Sequence, residues 1–283
     1  MSKKFTGYLH SPRSIKDHIA PKITPQQPDE VTKTLSTLPT KVDNRSWQTK
    51  VYDQLDLGSC VAHSKKSQIE AMIKRIKGIT TDLSALYIYY AARVGIEGWP
   101  ANEDTGLFMR GALDAVRRFG VPPTDKWEYD PSQFHVQPDW IATGYADDYV
   151  PLRYFRLDFD IATNPQACLT RLKDYLSRKI VWDFGFNVYD SIFDDDTGVI
   201  PFPSNNESLA GGHAVLAVGY DDNKLITNHR NETTVNGAFL IKNSWGTGWG
   251  EKGYGWIPYK YFLEGQADDI WTIESSSILK PLS

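Results

Sequence analysis

The stretch Tyr52-Asp53-Gln54-Leu55-Asp56-Leu57-Gly58-Ser59-Cys60-Val61-Ala62-His63-Ser64 decides how the rest of the chain is read. A glycine and a small polar residue bring a loop up to a cysteine. Apolar positions at Val61, Ile69, Met72, Ile73 and Ile76 then continue as a helix that Gly78 ends. At a helix N-terminus the unpaired N–H groups and the positive end of the dipole favour thiolate over thiol, which predicts a Cys60 pKa below the value of about 8.5 of a free cysteine. Gln54 lies far enough upstream to return across the mouth of that helix and aim its amide at an oxygen beside the sulfur, as an oxyanion donor would.

Two further motifs lie far downstream. One is Gly211-Gly212-His213-Ala214-Val215-Leu216, which opens an apolar strand; the other is Lys242-Asn243-Ser244-Trp245-Gly246, a turn. Each alone has an ordinary reading, since cysteine is among the most buried residue types and a histidine at the start of an apolar strand is usually a hydrogen-bonded core residue. In this order, together, they resemble the papain-like cysteine peptidases, over roughly residues 38–274. The resemblance implies Cys60 as nucleophile, His213 as base, Asn243 as the residue that orients it, and Gln54 in the oxyanion hole. It also implies substrate contacts at Gly58, Gly212 and Trp245, with Trp245 shielding the His213–Asn243 bond. Val61 and His63 stand where the family carries aromatics, and the expectation for His63 is a structural histidine. Gly211 and Gly212, at the floor of the main specificity pocket by resemblance, predict a roomy apolar pocket, and family glycines near Asp104-Thr105-Gly106 bind substrate backbone.

The implied reaction is acyl transfer on a peptide bond, needing neither metal nor organic cofactor, with a peptide or protein as substrate. A transglutaminase-like acyl transferase has an aspartate as its third member where this chain has Asn243. A catalytically inactive binding protein of the same fold predicts loss of a functional side chain, and none of the four is lost.

Composition narrows the remaining classes. With 283 residues, 41% apolar and 13% aromatic, the chain can fill a substantial core. Its 31 basic and 35 acidic residues are interspersed, giving a net charge of −4 and no electrostatic case for nucleic acid or an anionic membrane. Two cysteines make no disulfide framework. Familiar secreted relatives are disulfide-bonded, so the expectation is a disulfide-free branch in a reducing cytoplasm, with export by a non-classical route left open. Cys168 falls on the buried face of a helix begun by Asn164 and Pro165, with Leu172, Tyr175 and Leu176.

Helical patterns over 60–77, 83–94 and 107–119 precede strand patterns over 149–157, 180–188, 213–220, 237–243 and 270–274, with 221–236 read as a long hairpin loop. Helices followed by strands predict an α+β fold. By resemblance it is two-lobed: a helical lobe at about 50–130, an antiparallel barrel-like β lobe at about 131–275, and a cleft between. Residues 1–40, with five prolines and no periodicity, predict an extended arm. Its apolar residues Tyr8, Leu9, Ile15, Ile19 and Ile23 suit a groove that takes extended peptide, so one expectation is an arm that lies over or beside the cleft as a reversible cover; composition alone fits a mobile tail that touches nothing equally well.

Overall fold

In the computed structural model, residues 7–14, 17, 37–146, 153–194 and 196–273 are described. The helix opened by Cys60 is α1 (Cys60–Lys77), and it ends where Gly78 takes the left-handed conformation that residues with a Cβ avoid. Before it come β1 (Tyr8–Leu9) and β2 (Lys41–Asp43). After it come α2 (Ala85–Tyr90), β3 (Leu107–Phe108), α3 (Met109–Phe119) and α4 (Trp140–Ala146). The second half holds β4 (Tyr154–Arg156), α5 (Pro165–Ser177), β5 (Trp182–Tyr189), β6 (Leu209–Asn228), β7 (Thr233–Lys242), β8 (Tyr254–Pro258), α6 (Lys260–Leu263) and β9 (Ala267–Ile273). The fold is α+β.

Most of the strands form one seven-stranded sheet in the order β4-β9-β5-β6-β7-β8, with β2 also on β6. All its pairings are antiparallel. Two main apolar cores follow. Ile69, Met72 and Ile73 of α1 pack with Leu86, Ile88 and Leu113 in the helical part. Trp182, Phe184, Phe239 and Phe262 pack with Leu172 and Leu176 of α5 beneath the sheet. Where α1 crosses the sheet the contact is ionic: Lys65 Nζ sits 2.7 Å from the Asp183 carboxylate, both fully buried. Burial raises the Asp183 pKa to about 6, and its pairing with Lys65 works against that rise.

Several boundaries move from those read in the sequence. The helix over 83–94 is α2 followed by a wider π-type turn over Ala91–Ile96. Residues 107 and 108 are strand rather than helix, because they pair with β1. The supposed loop over 221–236 is mostly strand, since β6 and β7 stay paired out to Asn228 and Thr233 past an irregularity between Asp221 and Leu225. Residues 149–152 and 274 of the expected strands lie outside the described residues, as do Ile15, Ile19 and Ile23 of the arm.

Candidate active site

Cys60 is the first residue of α1 and is fully buried. Backbone N–H groups of Ala214, Gly7, Val61 and Cys60 itself face its sulfur and favour the thiolate. Burial outweighs them and pushes the thiol up to about 11. This reverses the direction expected from the helix start. The local sequence supplies the helix dipole, whereas the desolvation comes from remote segments laid over the sulfur.

Ala214 is the residue after His213, so strand β6 brings the imidazole to the same corner. His213 Nε2 lies 2.8 Å from Asn243 Oδ1, and the Ser244 N–H donates to that same Oδ1 at 2.8 Å. Two contacts onto one atom identify it as the amide oxygen, so Nε2 carries the hydrogen. Trp245 stacks on the His213 ring at 4.7 Å between centroids and closes it off from water together with Trp249. Phe186 meets the imidazole edge-to-face at 5.8 Å.

Gln54 is buried behind the loop that leads into α1. Its Oε1 accepts from Ser244 Oγ at 2.6 Å, and its Nε2 donates to Leu57 O at 3.0 Å. The amide is thereby tied to the turn that carries Asn243. Tyr129 Oη donates to Gln54 O at 2.8 Å and lies 2.7 Å from Ser59 Oγ, bracing both ends of the loop. Asp104, held by Tyr89 Oη, accepts from Gly58 N at 3.1 Å. His63 lies inward, with Nδ1 3.2 Å from Ser59 O and its ring edge-on to Tyr129. Burial, then Lys66, holds its pKa down to about 3, so it is a neutral packing residue.

The groove above Cys60 is filled by the N-terminal arm. Gly7 lies so close to Gly58 O that a Cβ there would collide with it. Leu107 N donates to Gly7 O at 2.7 Å, and β1 runs parallel to β3 with Tyr8 opposite Leu107. The Tyr8 ring lies on Gly185 and Gly212; a Cβ at Gly212 would stand 2.8 Å from Tyr8 Cδ1. At its far end Tyr8 Oη donates to Asp268 Oδ1 at 3.0 Å. Burial, then Asp269 and Asp268, push the phenol above its ordinary pKa, so it stays a donor. Farther along, Ser11 N donates to Asp269 Oδ2 at 3.0 Å, Arg13 donates to the carbonyls of Asp158 and Phe159, and Asp17 pairs with Arg110 and Arg156.

A family model for papain family cysteine proteases matches residues 38–265. The chain belongs to the papain family of cysteine proteases. Xylellain, a cysteine protease from Xylella fastidiosa, aligns in three dimensions with a TM-score of 0.76 at 32% identity, covering 96% of each chain. An uncharacterized peptidase C1-like protein of Acanthamoeba polyphaga mimivirus is 34% identical over 227 residues, 78% of this chain and 68% of that one. Papain from Carica papaya is 28% identical over 213 residues, 73% of this chain, and the match spans 50% of papain's own length.

Of the residues expected in such a site, Gln54, Cys60, His213 and Asn243 come together around one corner. Gly58 and Gly212 touch the arm, while Trp245 covers the histidine. The apolar pocket expected from Gly211 and Gly212 needs correcting, because it ends on a carboxylate. Asp268, Leu107 and Tyr89 were not read from sequence as parts of this site, and Asp104 was named there only for the family glycines beside it. Among the described residues no three of His, Cys, Asp and Glu gather in a way that would hold a metal ion.

Proposed function

We propose that this papain-family protease hydrolyses peptide bonds through Cys60 and that its N-terminal arm is a reversible cover over that residue. The carrying observation is the convergence of Cys60 with the Asn243-held His213 and the Ser244-held Gln54 under a strand of the chain itself. Once the arm lifts, water reaches the sulfur and the desolvation that disfavours the thiolate falls, leaving the helix start and the N–H donors to favour it. His213, with its hydrogen on Nε2, takes the thiol proton at Nδ1. The Cys60 thiolate then attacks the scissile carbonyl, whose electron pair moves onto oxygen and is held by the Cys60 N–H and the Gln54 amide. His213 gives the proton to the departing amine as the C–N bond breaks. A water, deprotonated by His213, cleaves the thioester and regenerates Cys60.

The arm's pose supports a cover rather than a substrate. It offers the sulfur an N–H, that of Gly7, and the Gly7 carbonyl is engaged by Leu107 N. Covalent attachment gives the segment an effective concentration in the millimolar range, enough to hold a weak ligand in place. The test is peptide hydrolysis by the purified full chain and by Cys60→Ala, with thiol labelling alongside. Loss of both turnover and Cys60 labelling in the variant is expected, and turnover retained in Cys60→Ala contradicts the mechanism.

A further inference from the structure

The loop from Gln54 to Ser59 has a donor for the oxyanion at each end: the Gln54 amide opens it, and the Cys60 N–H follows its last residue. One hydroxyl from outside the loop touches both ends. Tyr129 Oη donates to Gln54 O at 2.8 Å and lies 2.7 Å from Ser59 Oγ. A carbonyl oxygen only accepts, so the Tyr129 proton goes to Gln54 O and the serine hydroxyl is the donor in the second contact. Ser59 O likewise only accepts, so His63, whose Nδ1 lies 3.2 Å from it, carries its ring hydrogen on that atom and faces Ser59. Burial raises the Tyr129 phenol above its ordinary pKa, so it stays protonated and keeps donating. The tyrosine is anchored apart from the loop. Trp127 O, two residues before it, accepts from Ser84 Oγ at 2.7 Å at the start of α2, and the His63 ring meets Tyr129 edge-on at 4.6 Å. Gln54 N donates to Ser244 O at 2.8 Å on the β side, while Tyr129 ties the Gln54 carbonyl to the helical part. None of these groups belongs to the N-terminal arm.

We propose that Tyr129 is a positioning residue of the oxyanion hole: through Gln54 O and Ser59 Oγ its hydroxyl sets the separation of the Gln54 amide and the Cys60 N–H without touching substrate. The proposal rests on the reading of Cys60 as nucleophile and Gln54 as oxyanion donor given above. Two donors stabilise a developing oxyanion only when both point at the place it will occupy, and a misplacement of about 1 Å can cost roughly 10²-fold in rate. Phenylalanine at 129 keeps the ring that packs on His63 and leaves the two loop ends without their shared partner.

The test compares wild type with Tyr129→Phe in the full chain. kcat on a peptide should fall by roughly tenfold to a hundredfold with KM little changed. Affinity for a peptide aldehyde, whose thiohemiacetal oxygen occupies the oxyanion position, should fall by a similar factor. Iodoacetamide alkylation of Cys60 is a displacement that forms no oxyanion, so it should keep its wild-type rate. Ser59→Ala removes one contact and leaves the bond from Tyr129 to Gln54 O, so its fall in kcat should be smaller. In Gln54→Ala the further change Tyr129→Phe should lose most of its effect on kcat, because the donor it positions is gone. An unchanged kcat with a lowered melting temperature makes Tyr129 merely structural and overturns the proposal. Equal losses in kcat and alkylation rate, or fully additive effects of Tyr129→Phe and Gln54→Ala, overturn it too. Should wild type cleave no peptide, the hydrolase reading fails, and the role of Tyr129 is read from aldehyde affinity against alkylation: a fall in the first alone sustains it, and equal affinities in wild type and Tyr129→Phe refute it. A wild-type chain that neither cleaves peptide nor binds the aldehyde refutes both readings.

Discussion

Cys60 and Cys168 begin from similar local chemistry and end in different situations. Cys60 is the first residue of α1; Cys168 lies in the first turns of α5, behind the Asn164 cap whose Oδ1 accepts from Ala167 N at 3.1 Å. Both are fully buried, and burial pushes both thiols up, to about 11 and about 12. What covers them differs. Cys168 aims its sulfur at Leu157 O, 3.7 Å away, and packs with Leu172 and Leu176 in the core beneath the sheet. Cys60 lies against Gly7 of an arm held by one aromatic ring, a two-residue strand pairing and a few polar contacts. A core thiol is exposed only when the domain unfolds, whereas a thiol under an attached segment is exposed by a local opening of far lower free energy. If the arm is the cover proposed above, burial of the same degree is permanent at one cysteine and adjustable at the other.

The largest expected difference is in turnover. Cys60→Ala should reduce peptide hydrolysis to the detection limit, while Cys168→Ala should keep it, as measured on the same peptide. Equal losses would erase the contrast. Next comes Gln54→Ala, which should lower kcat by roughly 10²–10³ if its amide serves the oxyanion, with the melting temperature recorded to separate chemistry from folding.

Acid provides a third way to sharpen the comparison, because it lowers the free energy of the global opening on which exposure of Cys168 depends. The His63 pKa is held at about 3 in the fold against 6.5 for the free side chain, so the unfolded chain binds its proton first. Stability from this group is complete above the unfolded value and is lost as pH falls from 6.5 toward about 3. Between about pH 7 and about pH 4.5 the loss should be roughly 2–3 kcal/mol in denaturant melts, and His63→Phe should flatten it. A pyridyl disulfide reagent, which reacts in acid, should then label Cys168 faster as pH falls, whereas Cys60 already reacts through the arm's local opening. The smallest effect is that of Cys168→Ala on stability, about 1 kcal/mol in a urea melt, because only a small buried group is removed.

The difference between the two thiols also marks how far the sequence could be read. Gln54, Cys60, His213 and Asn243 each sit in a short motif whose local chemistry is self-contained, and α1 and α5 carry their caps and apolar faces in sequence. The buried, capped position of Cys168 follows from those faces. The cover on Cys60 depends on which distant segment lies over it, so the helix start pointed to a lowered thiol pKa where desolvation raises it. Asp268 was hidden for a related reason: its orientation comes from a bulge in β9 against β5, and one extra residue in a strand changes which face a side chain takes. The paired ends of β6 and β7 were hidden by Asp221, Asp222, Asn223 and Asn228, residues of low strand propensity that neighbouring strands hold in register.

The most direct test of the cover compares the two cysteines in one molecule. Iodoacetamide alkylation at near-neutral pH, followed by peptide mass analysis, gives a rate for Cys60 and a rate for Cys168 in the full chain and in Tyr8→Ala. Removing the ring forfeits roughly 2 kcal/mol of apolar burial against Gly185 and Gly212, so Cys60 should react about tenfold faster or more while Cys168 keeps its rate. Unchanged Cys60 reactivity, or equal acceleration at both cysteines, would contradict a reversible cover.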